Sequence, residues 1–372
     1  MPTSTKDPIL LTPGPLTTSY QTKKAMLHDW GSRDTSFIET NKTLRRRLVQ
    51  IVDGLETHVC VPLQGSGTFA VEATLATLLS KDSESLVLIN GSYGHRIVKI
   101  LNYLNHKYEI LETTEDTPPS IEELHTRLSN NKNLTHVLAV HCETTSGILN
   151  PIEKIGDVVS KLNKSLIIDA MSSFGAIPLS SKTTDFDAII ASSNKCLEGV
   201  PGIGFAVIKE SILKTSQNNA HSLSLDLFDQ WTQMEANQQW RFTPPTHVVY
   251  ALSAALDQFD MEGGLIGRNR RYSENCDTLL SGMIKMGFVP FIEKKLQSPI
   301  IVTFKMPNNK NFNFSVFYET LKNKGYIIYP GKLTKEPSFR IGCIGDIKKA
   351  QINKVLKIIK ETLRLMKVDL NS

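Results

Sequence analysis

From the N-terminus to about residue 210, short apolar runs that end in Gly, Ser or Asn turns alternate with segments whose apolar residues recur at helical spacing. That alternation is the pattern of βαβ units, and it confines the chain to an α/β fold with a mainly parallel sheet. Strands are predicted at 85–90, 136–142, 166–168 and 188–191. Helical patterns lie between them, through Ile97, Ile100, Leu101 and Leu104 and again through Ile155, Val158, Val159 and Leu162. The run 204–208 is predicted to return antiparallel, because its link to the preceding strand is too short for a crossover helix.

Residues 211–239 are polar and leucine-punctuated, without a clear strand. A helix over 250–259 and a long basic helix through Tyr272 and Leu279 follow. After Gly287 the pattern changes to strands at 300–304, 326–329 and 339–341 with helices at 316–321 and 347–366, which reads as a smaller α+β domain. In the last helix Ile352, Val355, Leu356, Ile359, Leu363 and Met366 form one apolar stripe, read as core, with Asp346 as its N-cap.

Composition excludes several function classes. A chain of 372 residues, 40% hydrophobic and 21% charged, builds a core without staples. Its five cysteines (Cys60, Cys142, Cys196, Cys276, Cys343) lie far apart with no Cys-x-x-Cys and no His at zinc spacing. Neither a disulfide framework nor a metal site is expected, and a reducing cytoplasmic setting fits. The N-terminus is polar, Ile9-Leu10-Leu11 is too short for a signal core, and no apolar run approaches the roughly 20 residues of a membrane span. The net charge of +5 is modest. Its clusters, Arg45-Arg46-Arg47 and Arg268-Asn269-Arg270-Arg271, lack interleaved aromatics. They read as solvated helix faces or subunit contacts, so no nucleic-acid partner is expected.

The chemistry gathers at strand ends. Asp169 closes the run at 166–168, and Lys195 follows the run at 188–191 after the polar turn Ser192-Ser193-Asn194. Two strand ends therefore deliver an acid and an amine to one sheet edge, where α/β proteins bind ligands. The amine can condense with an aldehyde and the carboxylate can keep a pyridine nitrogen protonated, which are the needs of pyridoxal 5'-phosphate. Gln64-Gly65-Ser66-Gly67-Thr68 precedes a helical run from Ala70. Its backbone N–H groups, with the Ser66 and Thr68 hydroxyls, offer a phosphate cradle. No Lys-Ser/Thr pair follows the glycines, so Walker-type binding is not indicated.

Tyr93, between Gly91 and Gly94 beyond a strand end, either stacks on a cofactor ring or packs on the sheet edge. His95 and Arg96 read as turn and surface residues. Glu143 and Thr145, at another strand end, can approach the polar substituents of the ring. Proton transfer falls to Lys195 and not to Glu143, because the lysine, once released, stands beside the reacting carbon. Arg340, on an expected strand of the small domain, is either a surface cation or a fork for a carboxylate or phosphonate. Spacing alone cannot bring it to the site.

Six blocks carry a family resemblance: Leu11-Thr12-Pro13-Gly14-Pro15-Leu16-Thr17-Thr18, Gly65-Ser66-Gly67-Thr68-Phe69-Ala70-Val71-Glu72-Ala73, Asp169-Ala170-Met171-Ser172-Ser173-Phe174-Gly175, Ser193-Asn194-Lys195-Cys196-Leu197-Glu198-Gly199-Val200-Pro201-Gly202, Thr243-Pro244-Pro245-Thr246-His247 and Tyr329-Pro330-Gly331-Lys332-Leu333-Thr334. With them the chain resembles the class V aminotransferases of pyridoxal-phosphate fold type I, in particular the branch that works on 2-aminoethylphosphonate and pyruvate. The resemblance implies a large domain over 17–260 and a small one from 1–16 with 261–372. It implies a homodimer with shared active sites. Lys195 would hold the cofactor, Asp169 the pyridine nitrogen and Tyr93 the ring face. Ser66, Gly67, Thr68 and Ser193 would hold the phosphate with Thr243 of the partner subunit, and Arg340 would grip the substrate anion. In the block Asp29-Trp30-Gly31-Ser32-Arg33-Asp34, Ser32 and Arg33 are candidates for substrate contact. The nearest alternative is a relative using alanine or serine with glyoxylate or pyruvate.

Overall fold

The computed structural model describes residues 7–331 and 334–370, so Lys332 and Leu333 of the sixth block lie outside the described residues. The larger sheet has seven strands in the order His58–Gly65, Gly202–Lys209, Ala188–Ser192, Ser165–Asp169, Leu134–Val140, Glu84–Ile89 and Lys107–Glu112. Gly202–Lys209 runs antiparallel to both neighbours, and the other pairings are parallel. Ala188–Ser192 is buried at every position, because helices cover both faces and remove the alternation that a half-exposed strand would show.

Two strands of this sheet escaped the periodicity for different reasons. His58–Gly65 contains Pro62, which lowers a strand reading, yet here it is an edge strand whose pairing is to Gly202–Lys209. Lys107–Glu112 is the opposite edge, and its alternating charges disguise a strand. The segment 211–239 contains the helices Glu210–Lys214 and Leu227–Asn237. The second buries Leu227, Trp231 and Met234 along one face and is capped by Asp226, whose carboxylate accepts from Asp229 N–H at 3.1 Å.

The smaller sheet runs Ile9–Leu11, Tyr326–Gly331, Ser338–Gly342 and Ile301–Lys305. The N-terminal strand pairs parallel with Tyr326–Gly331. Leu11 packs in the same core as Phe304, Phe339, Ile352, Val355 and Ile359, so the stripe of the last helix, Lys349–Leu365, is core as expected. Its N-cap is Lys348 and not Asp346: Gln351 Oε1 accepts from Lys348 N–H at 3.1 Å, while Asp346 N–H is taken by Thr17 O at 2.8 Å.

The basic clusters also need correction. Arg45 is buried, donates to Cys60 O at 2.8 Å and pairs with Glu235 at 2.5 Å, and Arg47 pairs with Asp257 and Asp260 at 2.7 Å. Arg268 and Arg271 share Glu198 and Glu262 in a largely buried cluster. These four charges found carboxylates that local pattern does not reveal, most of them on elements distant in sequence, whereas Arg46 and Arg270 are exposed as expected. All five cysteines are free and buried. Among the described residues no helix is long and apolar enough to cross a membrane.

Candidate active site

Asp169 is the last residue of its strand, and Lys195 stands three residues past the end of the adjacent parallel strand. Both line a cavity of about 190 Å³ at that sheet edge. Asp169 is buried and accepts from Met171 N–H at 2.9 Å. Burial pushes its carboxyl up to about 6, against the pull of that N–H and of the Arg96 and Lys195 charges. Burial lowers the Lys195 amine to about 8; Cys196 and Asp169 oppose the shift, and Arg96 and Arg340 add to it.

Lys195 Nζ donates to Pro13 O at 3.0 Å, so the N-terminal segment lies over the amine. The approach depends on Gly14, whose φ is +119° and whose place could hold a Cβ only 2.5 Å from Lys195 Cδ. The lowered pKa has a kinetic consequence, since only the neutral amine attacks an aldehyde. Capture of an aldehyde by the cofactor-free protein should rise about tenfold per pH unit at low pH and level off near pH 8. Initial rates of the absorbance change test this, and a rise continuing toward pH 10.5 would mean an ordinary lysine.

Ser66 is the N-cap of the helix Gly67–Leu78, and its hydroxyl makes no capping hydrogen bond. The N–H groups of Gly67 and Thr68 have no carbonyl partner within the helix, so the turn offers free donors and the positive end of a helix dipole to the cavity. A Cβ at position 67 would meet Met171 Sδ, so any larger residue there would have to displace the end of that methionine side chain. A half-buried amine, a buried carboxylate and a helix-end cradle on one cavity fit the aldehyde, the pyridine nitrogen and the phosphate of pyridoxal phosphate.

Glu143 works on backbone. One carboxylate oxygen accepts from Tyr93 N–H at 3.0 Å; the other accepts from Thr145 N–H at 3.1 Å and from Thr145 Oγ1 at 2.5 Å. Thr145 Oγ1 in turn accepts from Ser92 N–H at 3.0 Å. Glu143 and Thr145 thereby fix the start of the helix Ser92–Tyr103, which presents Tyr93 to the cavity, and neither lines it themselves. Burial raises the Glu143 carboxyl, against these hydrogen bonds. Ser193 also stands behind the lining: its Oγ donates to Val200 O at 2.5 Å and Ile203 O at 3.2 Å, closing the lysine loop, while Ser192 and Asn194 face the cavity.

Arg340, central in Ser338–Gly342, is buried and donates to Thr144 O at 2.9 Å, with its guanidinium carbon 5.5 Å from the Tyr329 ring. Burial lowers its pKa, and its charge is felt at Lys195. Arg340 is not among the residues that line the cavity; from the small sheet its charge still reaches the lysine. Ser32, Arg33 and Thr243 do not line the cavity within one chain; Arg33 and Thr243 are exposed and Ser32 half-buried. The loop holding Ser32 and Arg33 is anchored by Trp30, stacked on Tyr250 at 3.5 Å between ring centroids. Sequence reasoning missed Arg96, which lines the cavity although it is exposed, and did not single out Met171. The usable signal was spacing: Arg96 follows Tyr93 by three residues on one helix.

The model of the family "Aminotransferase class-V" matches residues 16–345. The 2-aminoethylphosphonate–pyruvate transaminase of Pseudomonas aeruginosa is 50% identical over 368 residues, covering 99% of each chain. The 2-aminoethylphosphonate–pyruvate transaminase 2 of Burkholderia lata is 52% identical over 361 residues, 97% of this chain and 96% of that one. Among solved structures, the alanine–glyoxylate aminotransferase of a Nostoc species superposes with a TM-score of 0.90 over 98% of this chain and 97% of that one, at 22% identity. At that identity the likeness is one of fold.

Proposed function

The chain belongs to the class-V aminotransferase family, and we propose on that premise that it is a pyridoxal-phosphate enzyme moving the amino group of 2-aminoethylphosphonate to pyruvate, reversibly and in ping-pong fashion. The products are phosphonoacetaldehyde and L-alanine. Half-identity along nearly the whole length to relatives that bear that activity in their names carries the substrate assignment.

When bound, pyridoxal phosphate supplies an aldehyde that takes up the amino group and a protonated ring that accepts the electron pair. The chain's residues do the rest. Lys195 would hold the aldehyde between turnovers, and its Nζ, set free by the substrate amine, would accept the proton of the amine-bearing carbon. An amine lowered to about 8 is neutral often enough near pH 7.5 to accept it. Asp169 would contact the pyridine nitrogen and favour its protonated form. Ser66, Gly67 and Thr68 would seat the phosphate. Ser193 shapes the loop behind the lining. Tyr93, held by Glu143 and Thr145, would cover the ring. Arg340 orients the phosphonate in one half-reaction and the pyruvate carboxylate in the other.

Thr243, Ser32 and Arg33 enter this reading through a homodimer in which the partner subunit completes the site. The large domain is taken as 17–260 and the small one as 1–16 with 261–372. The five free, buried cysteines suit a reducing cytoplasm. Steady-state assays test the substrate assignment. With pyruvate as acceptor, kcat/KM for 2-aminoethylphosphonate should exceed that for serine by about 100-fold, the preference that the activity named for the half-identical relatives supports. Faster turnover of alanine or serine with glyoxylate would replace this reading with the alternative.

A further inference from the structure

The cavity holds a cation that the mechanism above does not use. Arg96 lies on the same helix face as Tyr93, its guanidinium carbon 4.7 Å from the centroid of that ring. Its Nη1 donates to Thr68 Oγ1 at 3.4 Å, the outer limit of a hydrogen bond, and Thr68 stands in the first turn of the cradle helix. Arg45, Arg47, Arg268 and Arg271 are each taken up by carboxylates. Arg96 forms no salt bridge among the described residues, so its fork is open to the cavity it lines.

We propose that Arg96 binds a phosphoryl-type dianion in this cavity, either the cofactor phosphate on the Ser66–Thr68 turn or the phosphonate of the substrate. A planar guanidinium can keep its face on Tyr93 while its edge donates to an oxygen, which an ammonium cannot do. The contact to Thr68 marks the reach: an oxygen held by the Thr68 N–H or hydroxyl lies within range of Nη1. Tyr93, Thr68 and Arg96 then form one wall, fixed at its base by Glu143. The charge also bears on both reacting groups, since it lowers the Asp169 carboxyl and the Lys195 amine.

The inference rests on the proposed cofactor, and its test is arranged so that the two can fail separately. Pyridoxal 5'-phosphate and pyridoxal, which lacks the phosphate, are titrated into the full-length chain freed of cofactor, as wild type, Arg96→Ala and Arg96→Lys. If the dianion is the cofactor's, Arg96→Ala weakens pyridoxal phosphate by about 10- to 100-fold, leaves pyridoxal within about twofold, and is partly rescued by Arg96→Lys. If it is the substrate's, both aldehydes bind as in wild type while the KM for 2-aminoethylphosphonate rises by a similar factor with kcat little changed. Equal loss for the two aldehydes would reduce Arg96 to a support for Tyr93 and overturn the proposal. So would unchanged affinities together with an unchanged KM. A wild-type chain that binds neither aldehyde would overturn the cofactor reading itself, whereas a wrong amino donor leaves the aldehyde titrations intact.

Discussion

Replacing Lys195 with alanine is expected to slow amino-group transfer by about 10⁴-fold or more, because one side chain is removed from two roles at once, covalent hold and proton transfer. No neighbour can substitute. Glu143 is occupied by the backbone of Tyr93 and Thr145, and Asp169 is tied to Met171 N–H on the side assigned to the pyridine nitrogen. The cradle at Ser66–Thr68 is untouched, so the variant should still retain cofactor noncovalently. Borohydride reduction of the loaded enzyme, followed by peptide mass analysis, should place the trapped cofactor on Lys195 in the wild type and on no lysine in the variant. A trapped peptide elsewhere, or turnover within tenfold of wild type, would remove Lys195 from the centre of the mechanism.

The second large effect is expected at Arg340. Its guanidinium is buried, donates to one carbonyl, leaves Nε without a partner and has no carboxylate pair among the described residues. A buried charge without a counter-ion is costly, and an anionic substrate supplies what is missing. Arg340→Ala should lower kcat/KM for 2-aminoethylphosphonate by about 10³-fold, the scale of a two-pronged charge-assisted contact in a desolvated site, while cofactor content stays near wild type. Arg340→Lys should recover little, because an ammonium offers a point charge and not a fork. Parallel losses of cofactor and activity would show instead that Arg340 supports the Thr144 segment.

The parts of this architecture that were legible in the sequence are those fixed by local pattern. The buried parallel strands ending at Asp169 and Ser192 and the Gly-rich turn before Gly67–Leu78 were each visible within ten residues of chain. What stayed hidden depended on partners far away. Pro62 argues against a strand until Gly202–Lys209 is seen to satisfy one side of it. Arg45, Arg268 and Arg271 look solvated until Glu235, Glu198 and Glu262 arrive from other elements. Arg340 had the right chemistry at a position that only the pairing of Ser338–Gly342 with Ile301–Lys305 and Tyr326–Gly331 could set where its charge reaches the lysine. Arg96 was passed over because exposed arginines are common, although its offset from Tyr93 placed it on the same face.

The most direct test of the account is a half-reaction. The purified, cofactor-loaded enzyme is mixed with 2-aminoethylphosphonate alone, with no pyruvate present, and both the absorbance and the released aldehyde are followed. The account predicts that the band of the lysine-linked cofactor converts to that of its amine form, with about one equivalent of phosphonoacetaldehyde per site. A band that persists with no aldehyde released, under conditions where alanine or serine converts it, would contradict the assignment of this chain to the phosphonate substrate.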